Sequence, residues 1–272
     1  MTLLTEPTRI VLAKGYSLPD DADAVAYIAA VEAADGQALE TATRMAINSF
    51  VKGCKNDGIW PAIKASCILA GARTLAGALV PLAGTAPTNF NFVSGDYNRK
   101  TGLVGNGTSK YLNSNRVINA DPQNSRHLSI HISSAESTSV ATYCGAATLN
   151  SGFMNFSVTA GNNLDVWAGS AAGSFIRTAN SNLITGFVGA SRPSSAVFSC
   201  RRSSATVDLS SASVLATQTL GLPIFAYRTA ANTITEYSNA RLAFYSIGES
   251  LDLALLDTRV TTLINAFAAA IP

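Results

Sequence analysis

Charge is scarce in this chain. Only 13% of its 272 residues are Asp, Glu, Lys or Arg, about half the usual share of a globular protein. Its surface must therefore be made polar by Ser, Thr, Asn and Gly, a habit of exposed β-proteins and of assemblies covered by their neighbours. The net charge of +2 excludes the basic footprint of a nucleic-acid or anionic-membrane binder. Histidine is scarcer still, with His127 and His131 alone, so Ser-His-Asp and Cys-His catalysis have few combinations to draw on. Neither Gly-x-Ser-x-Gly nor a Gly-x-x-x-x-Gly-Lys-Ser/Thr loop occurs. No window holds eighteen consecutive apolar residues, so no transmembrane helix and no membrane insertion are expected. Met1 to Ile10 lack a basic stretch leading into an apolar run, so no secretory signal is expected. The four cysteines, Cys54, Cys67, Cys144 and Cys200, form no Cys-x-x-Cys pair. That excludes a zinc ribbon or a thioredoxin-like motif and predicts reduced, buried thiols in a protein made in a cytosol.

What the chain does have is two changes of period. Arg9 to Leu12 is a short apolar run in an extended start. Helices are predicted from about Pro19 to Ala34, capped by Asp20 or Asp21, and from about Gln37 to Lys52, ended by Gly53. A third is predicted from Trp60, with Pro61 in its first turn, through Ile63, Cys67 and Leu69 towards Gly71. A further apolar piece runs from Leu75 to Val80. The stripes of these helices are made largely of alanine, Ala22, Ala26, Ala29, Ala33, Ala42 and Ala46, which give little apolar area. Residues 1–84 are therefore expected to be a docking and oligomerisation segment packed on the sandwich, on a copy of itself or on another protein. From Asn89 the pattern alternates, punctuated by Gly, Asn and Ser. His127 to Ile132 sets Leu128, Ile130 and Ile132 on one face, with His127, Ser129 and His131 on an expected polar outer face. Strands are also predicted at Val140–Cys144, Phe153–Val158, Leu164–Trp167, Ser174–Arg177, Leu183–Val188, Ala196–Cys200 and Pro223–Tyr227. Starts about ten residues apart suit an antiparallel sandwich or barrel. The chain then returns to a helix. Arg241 to Ile247 reads as a strand, Gly248 breaks it, and Ser250 is the expected cap of a helix carrying Leu253, Leu256, Val260, Leu263 and Phe267 on one stripe. The fold class is α+β: an N-terminal helical segment over 1–84, then a β-sandwich over 85–272 closed by a C-terminal helix.

Chemistry finds little purchase in this pattern. His127 and His131 lie about 13 Å apart along an extended strand, too far to share a metal. Gly102 to Gly107 is glycine-rich, but no helix opens after it, so it reads as a turn and not a phosphate cradle. The sandwich region holds the carboxylates Asp121, Glu136, Asp165, Asp208 and Glu236, with no two at i, i+2 or i+4 on one strand, and a glycosidase needs two facing one sugar. Arg192, Arg201 and Arg202 read as solvated turn residues beside Pro193. Trp60 and Trp167 read by default as core residues, with an interface or a sugar-stacking platform as the alternatives. No catalytic residue, metal ligand or cofactor is assigned, and no ligand-binding residue is singled out.

Three stretches carry a resemblance. They are Asp23-Ala-Val-Ala-Tyr-Ile-Ala-Ala-Val-Glu-Ala-Ala-Asp-Gly-Gln-Ala-Leu39, Asn89-Phe-Asn-Phe-Val-Ser-Gly-Asp-Tyr-Asn-Arg-Lys-Thr-Gly-Leu-Val-Gly-Asn-Gly-Thr-Ser-Lys-Tyr-Leu112, and Arg241-Leu-Ala-Phe-Tyr-Ser-Ile-Gly-Glu-Ser-Leu251 with its helix. Together they resemble virion structural proteins of tailed bacteriophages, cyanophages among them, that carry a concanavalin-like, laminin-G-like jelly roll. The resemblance covers about a third of the chain. It implies a virion protein made in the host cytoplasm, first of all a tail-fibre or other appendage component, with capsid decoration as the alternative. A lectin-like module in host attachment is the second alternative. The partners implied are copies of itself, a trimer being favoured, other virion proteins, and a host surface glycan. Lectin-like relatives hold sugar through calcium bound by carboxylates and asparagine, and the sequence shows no dense cluster of that kind.

Overall fold

A computed structural model describes residues 19–272, except 139, 149–150, 181–183, 215–218 and 220. The apolar run at Arg9 to Leu12 lies outside the described residues. The described residues form four α-helices: α1 Ala22–Asp35, α2 Thr41–Asn56, the single turn α3 Leu75–Ala78, and α4 Leu253–Ala270. The strands of the first half are β1 Ile63–Ile68, β2 Pro81–Ala83, β3 Thr88–Phe90, β4 Tyr97–Asn98, β5 Gly102–Val104, β6 Tyr111–Val117, β7 Arg126–Ser134, β8 Ala141–Thr148 and β9 Ser151–Thr159. Those of the second half are β10 Asn163–Ser170, β11 Ile176–Thr178, β12 Gly186–Arg192, β13 Val197–Arg202, β14 Ala205–Ser210, β15 Gly221–Ile224, β16 Tyr227–Arg228, β17 Ile234–Thr235 and β18 Arg241–Gly248.

These strands make two sheets, and the chain is an antiparallel β-sandwich with helices at both ends. The first sheet runs β14-β13-β12-β7-β18-β1-β2, with β5 and β4 continuing from β18. The second runs β11-β10-β9-β8-β15-β6-β3, with β16 beside β8 and β17 beside β16. Leu128, Ile130 and Ile132 of β7 meet Phe156, Val158, Leu164 and Val166 of the second sheet in one core. A second core lies on the other side of the first sheet, where Phe244, Phe187 and Ile68 pack against the helices. The order of layers is therefore helices, first sheet, second sheet.

Local chemistry explains the helix ends. Asp21 caps α1 by accepting from the backbone of Asp23 and Ala24, and Gly36 closes it in the left-handed conformation. The buried face of α1 is Ala24, Tyr27, Ile28 and Val31, while Ala22, Ala26, Ala29 and Ala33 are exposed. The expected alanine stripe is thus the solvent side. Helix α2 starts at Thr41 and passes through Gly53, which was expected to end it. A Cβ at position 53 would sit 2.7 Å from the Arg259 side chain, so the glycine serves close approach to α4. Asp57 holds Arg259 through two hydrogen bonds of 2.7 and 2.8 Å. The cap of α4 is Asp252 and not Ser250: its carboxylate accepts from Ala254 and Leu255, whereas Ser250 is bonded to Ser125. The expected stripe of Leu253, Leu256, Val260, Leu263 and Phe267 is buried. By length and hydropathy α4 alone among the described helices could cross a membrane; here that stripe lies in the second core.

The expected third helix is a strand. Trp60–Ala62 makes one 3₁₀ turn, and the chain then extends as β1, paired with β18 on one side and β2 on the other. Ala65, Cys67 and Leu69 enter the sandwich core, while Ile68 and Ala70 enter the helix-side core. Apolar residues on both faces erase the alternation that marks a half-buried strand. Pairing on both edges then decides the conformation. The first sheet consequently draws strands from both sides of position 85.

Candidate functional site

The groups that ordinarily do chemistry are buried or engaged. All four thiols are free and buried. Burial pushes Cys54, Cys67 and Cys200 up to about 12, which leaves them unreactive. His127 and His131 are not on a solvated face, as the alternation suggested. The outer face of β7 is covered by the helical layer, and both rings are buried. His127 bonds the Glu249 carbonyl at 2.6 Å and the Ser246 hydroxyl at 2.8 Å. Burial holds both imidazoles down at about 4, with Asp257 acting weakly in the other direction on His131.

This has a consequence for acid stability. The folded pKa lies below the unfolded value near 6.5, so the neutral rings stabilise the fold fully above that value. Stability is lost as pH falls from about 6.5 towards about 4, where the unfolded chain binds the extra protons. The melting temperature is expected to drop across that window, and His131→Gln to flatten the drop. A profile that stays flat down to pH 4 would show that the histidines are protonated in the fold.

The five carboxylates are held apart from one another. Arg116 takes both oxygens of Asp121, and Arg177 takes both oxygens of Asp165 at 2.6 Å each. Glu136 is buried and accepts from the backbone of Ser137, Thr138 and Asn239. Asp208 accepts from Ser199 at 2.6 Å. Glu236 accepts from Thr142 at 2.8 Å. Among the described residues no three His, Cys, Asp or Glu side chains are grouped to hold a metal ion. The arginines also depart from the solvated reading. Arg192 is fully buried, and Arg201 pairs with Asp257 of α4 at 2.8 Å.

A different surface has the character of a binding site. Helices cover the outer face of the first sheet; the outer face of the second carries a continuous polar and aromatic set in which Thr142, Asn155, Ser157 and Asp165 are buried and Trp167 and Tyr227 are half-buried. Inward residues of β9 and β10 are Phe156, Val158, Leu164 and Val166, so Asn155, Ser157, Asp165 and Trp167 point outward. Register then builds two cross-strand rows. Tyr227 pairs with Gly145, Gly145 with Asn155, and Asn155 with Trp167. Beside it, Thr142 pairs with Ser157, Ser157 with Asp165, and Asp165 with Arg177.

The second row is a hydrogen-bonded frame. Thr142 and Ser157 share a bond of 2.7 Å, Asn155 donates to Ser157 at 2.7 Å, and Glu236 closes the end through Thr142. In the first row Gly145 leaves a gap between two rings. A Cβ there would lie 2.0 Å from Asn155 Oδ1, so the asparagine leans into the space that glycine vacates. That oxygen is buried and has no hydrogen-bond partner. Trp167 is half-buried, contrary to the core reading, with its ring 4.9 Å from that of Phe175 and its indole N–H given to the Ala172 carbonyl. Arg177 lies 4.9 Å over the Phe175 ring. Tyr227 is half-buried, and its phenol is pushed up to about 12 by burial first and by Glu236 second, so it keeps its proton. Trp167 and Tyr227 are separated by three strand spacings, about 14 Å. At the far edge of the same sheet, Phe90 and Tyr111 stack at 4.3 Å and 4°, with Tyr237 at 6.2 Å. Trp60, by contrast, packs on the helix-side core.

Sequence reasoning placed Trp167 and Tyr227 on strands but had no means to pair them. The signal that could have helped is Gly145, which directly follows the predicted strand Val140–Cys144 and lies inside the observed one, where a glycine marks a close approach.

No family model matches this chain, and no curated protein matches it. Among solved structures it is similar to the binding domain of botulinum neurotoxin serotype D, at 11% identity and a TM-score of 0.49, over 74% of this chain and 50% of that one. It spans about half the length of that chain. It is also similar to the CBM40 of the Ruminococcus gnavus IT-sialidase, at 8% identity and a TM-score of 0.40, over 50% of this chain and 82% of that one. A third is the binding domain of botulinum neurotoxin DC in complex with SialylT, at 13% identity and a TM-score of 0.39, over 60% and 41% of the two chains.

Proposed function

We propose that this chain is a non-catalytic carbohydrate-binding module that takes a glycan on the outer face of its second sheet. The observation that carries the reading is the row Tyr227, Gly145, Asn155, Trp167. Two half-buried aromatic rings flank the Asn155 amide, which fills the space that Gly145 leaves and keeps an unused acceptor; the ring faces suit the apolar faces of sugar rings and the acceptor suits a hydroxyl. A small polar frame lies alongside. The setting we propose is a phage particle, as the resemblance of Asp23–Leu39, Asn89–Leu112 and Arg241–Leu251 implies, with the module serving host attachment. A scaffold role in the tail or on the head is the other duty proposed for the same chain, and negative-stain images of particles labelled at this protein separate the two positions.

The test is binding of the purified chain to immobilised host-surface glycans, with Trp167→Ala, Tyr227→Ala and the double variant in parallel. A ring contact of about 1–1.5 kcal/mol corresponds to about tenfold in Kd. Each single variant is expected to weaken binding by about that factor, and the double variant to abolish it, with the melting temperature retained. A double variant that binds as the parent does, or a parent that binds no glycan, defeats the reading.

A further inference from the structure

The helical layer has an outer face that the sandwich does not use. Gly53 of α2 meets Arg259 of α4, and Ala42, Ala46 and Ser49 share an open groove of about 440 Å³ with Thr262, Ala266 and Ala269. The two helices therefore run antiparallel, and small side chains line both walls. Leu255, Arg259, Thr262, Ala266 and Ala269 recur at steps of four and three, so one face of α4 carries them all. Leu255 is 36% exposed at one end of that face, Thr262 and Ala269 are exposed, and Ala266 is half-buried.

Charge is kept away from this face. The charged residues of α2 all reach towards α1 and its cap: Arg44 to Glu32, Lys52 to Asp20, and Lys55 to Asp21 and Asp23. On α4, Asp257 turns to Arg201, and Arg259 is tied to Asp57 at the end of the groove. From Val260 to Ala270 the helix has no charged residue. The solvent side of a surface helix ordinarily carries charge, whereas interfaces between proteins are depleted of it at their centre. The face also complements itself. Leu255 and Ala266 lie equally far from a point midway between Arg259 and Thr262. A two-fold axis at that point sets each Leu255 over the partner's Ala266, a large side chain entering the groove that small ones leave.

We infer that this face joins two copies of the chain, with α2 and α4 of each forming a four-helix bundle about a two-fold axis. The 16 residues of α2 span about 24 Å, and two packed helices are about 18 Å wide. A pair of copies then buries on the order of 900 Å², the size of a weak, concentration-dependent contact. The occupant is a second copy because the large side chain and the groove that fits it lie on the same face, and no charge is set there to select a different partner. The helical layer lies on the far side of the first sheet, so the dimer leaves the outer face of each second sheet free.

The mass of the full chain, followed by light scattering from about 1 μM to about 1 mM, is expected to rise from one chain towards two. Ala266→Glu sets a charge opposite the incoming leucine and is expected to raise the Kd by about tenfold or more, with the melting temperature retained at low concentration. Should Ala266→Glu fail to fold, a double variant, Leu255→Cys with Ala266→Cys, gives a second readout. Its two thiols lie about 16 Å apart along one helix, beyond the reach of a disulfide within one chain. Oxidation is therefore expected to link two chains of the double variant, while either single variant stays unlinked. A mass of one chain at every concentration, or of three, overturns the inference. So does a dimer that Ala266→Glu leaves unchanged, which puts the contact on another surface.

Discussion

A chain lacking residues 1–84 is expected not to form a soluble, folded sandwich. The cut removes β1 and β2, and β1 is an inner strand of the first sheet. The edge of β18 from Phe244 to Gly248, which β1 pairs, would be left open. Open strand edges with apolar faces invite pairing with other chains. The cut also takes away Tyr27, Ile28, Val31, Ile47, Phe50, Ile63, Ile68 and Leu69, all buried. At about 1.5–3 kcal/mol for each large apolar side chain, these eight account for about 12–24 kcal/mol, as much as or more than the roughly 5–15 kcal/mol that holds a domain together. The helices supply their share through Tyr27, Ile28, Val31, Ile47 and Phe50, with Ala22, Ala26, Ala29 and Ala33 on the outside. Recovery of the 85–272 fragment from the soluble fraction, followed by its thermal melt, decides the matter. A cooperative transition in that fragment would show the sandwich to be self-sufficient.

Phe244→Ala is expected to cost about 3–5 kcal/mol, the range for a large buried aromatic. Strand β18 feeds both cores. Leu242, Tyr245 and Ile247 enter the sandwich, while Ala243 and Phe244 enter the helix-side core. The Phe244 ring meets Phe50 of α2 edge-on, with centroids 5.9 Å apart at 64°. Its removal leaves a cavity among elements tied by other contacts, which limits collapse. The urea midpoint should fall with the slope unchanged. A shift below about 1 kcal/mol would mean that α2 and α4 close the gap.

The fold was legible wherever the two faces of an element differ in polarity. Helices α1, α2 and α4, and strands such as β7 and β10, carried their period openly. It failed where both faces are apolar. Ile63 to Ile68 has apolar residues on both sides, so its spacing could not separate strand from helix. The same effect hid the true place of His127 and His131: alternation gave their face correctly, but only the packing of the helical layer could bury it. The candidate site was less legible still. Trp167, Asn155, Gly145 and Tyr227 come from four strands and meet through register alone. Register is set by pairing partners that sit 10 to 82 positions away, and no local pattern encodes it. The burial of Arg192 was masked for a like reason, since a strand-end arginine beside a proline looks like any surface residue until its cross-strand partner, here Arg126, is known.

The place of β18 in the sheet governs how the molecule is made. This strand is contributed by the last fifth of the chain, yet it sits between β7 and β1. Ser66 waits for Ser246, and Leu128 waits for Ile247. During synthesis at roughly 5–20 residues per second, everything from β1 to β17 leaves the ribosome before the strand that joins its halves exists. Nascent chains halted before Arg241 should accordingly stay open to protease across both flanking strands, and protection should arrive in one step once β18 and α4 emerge.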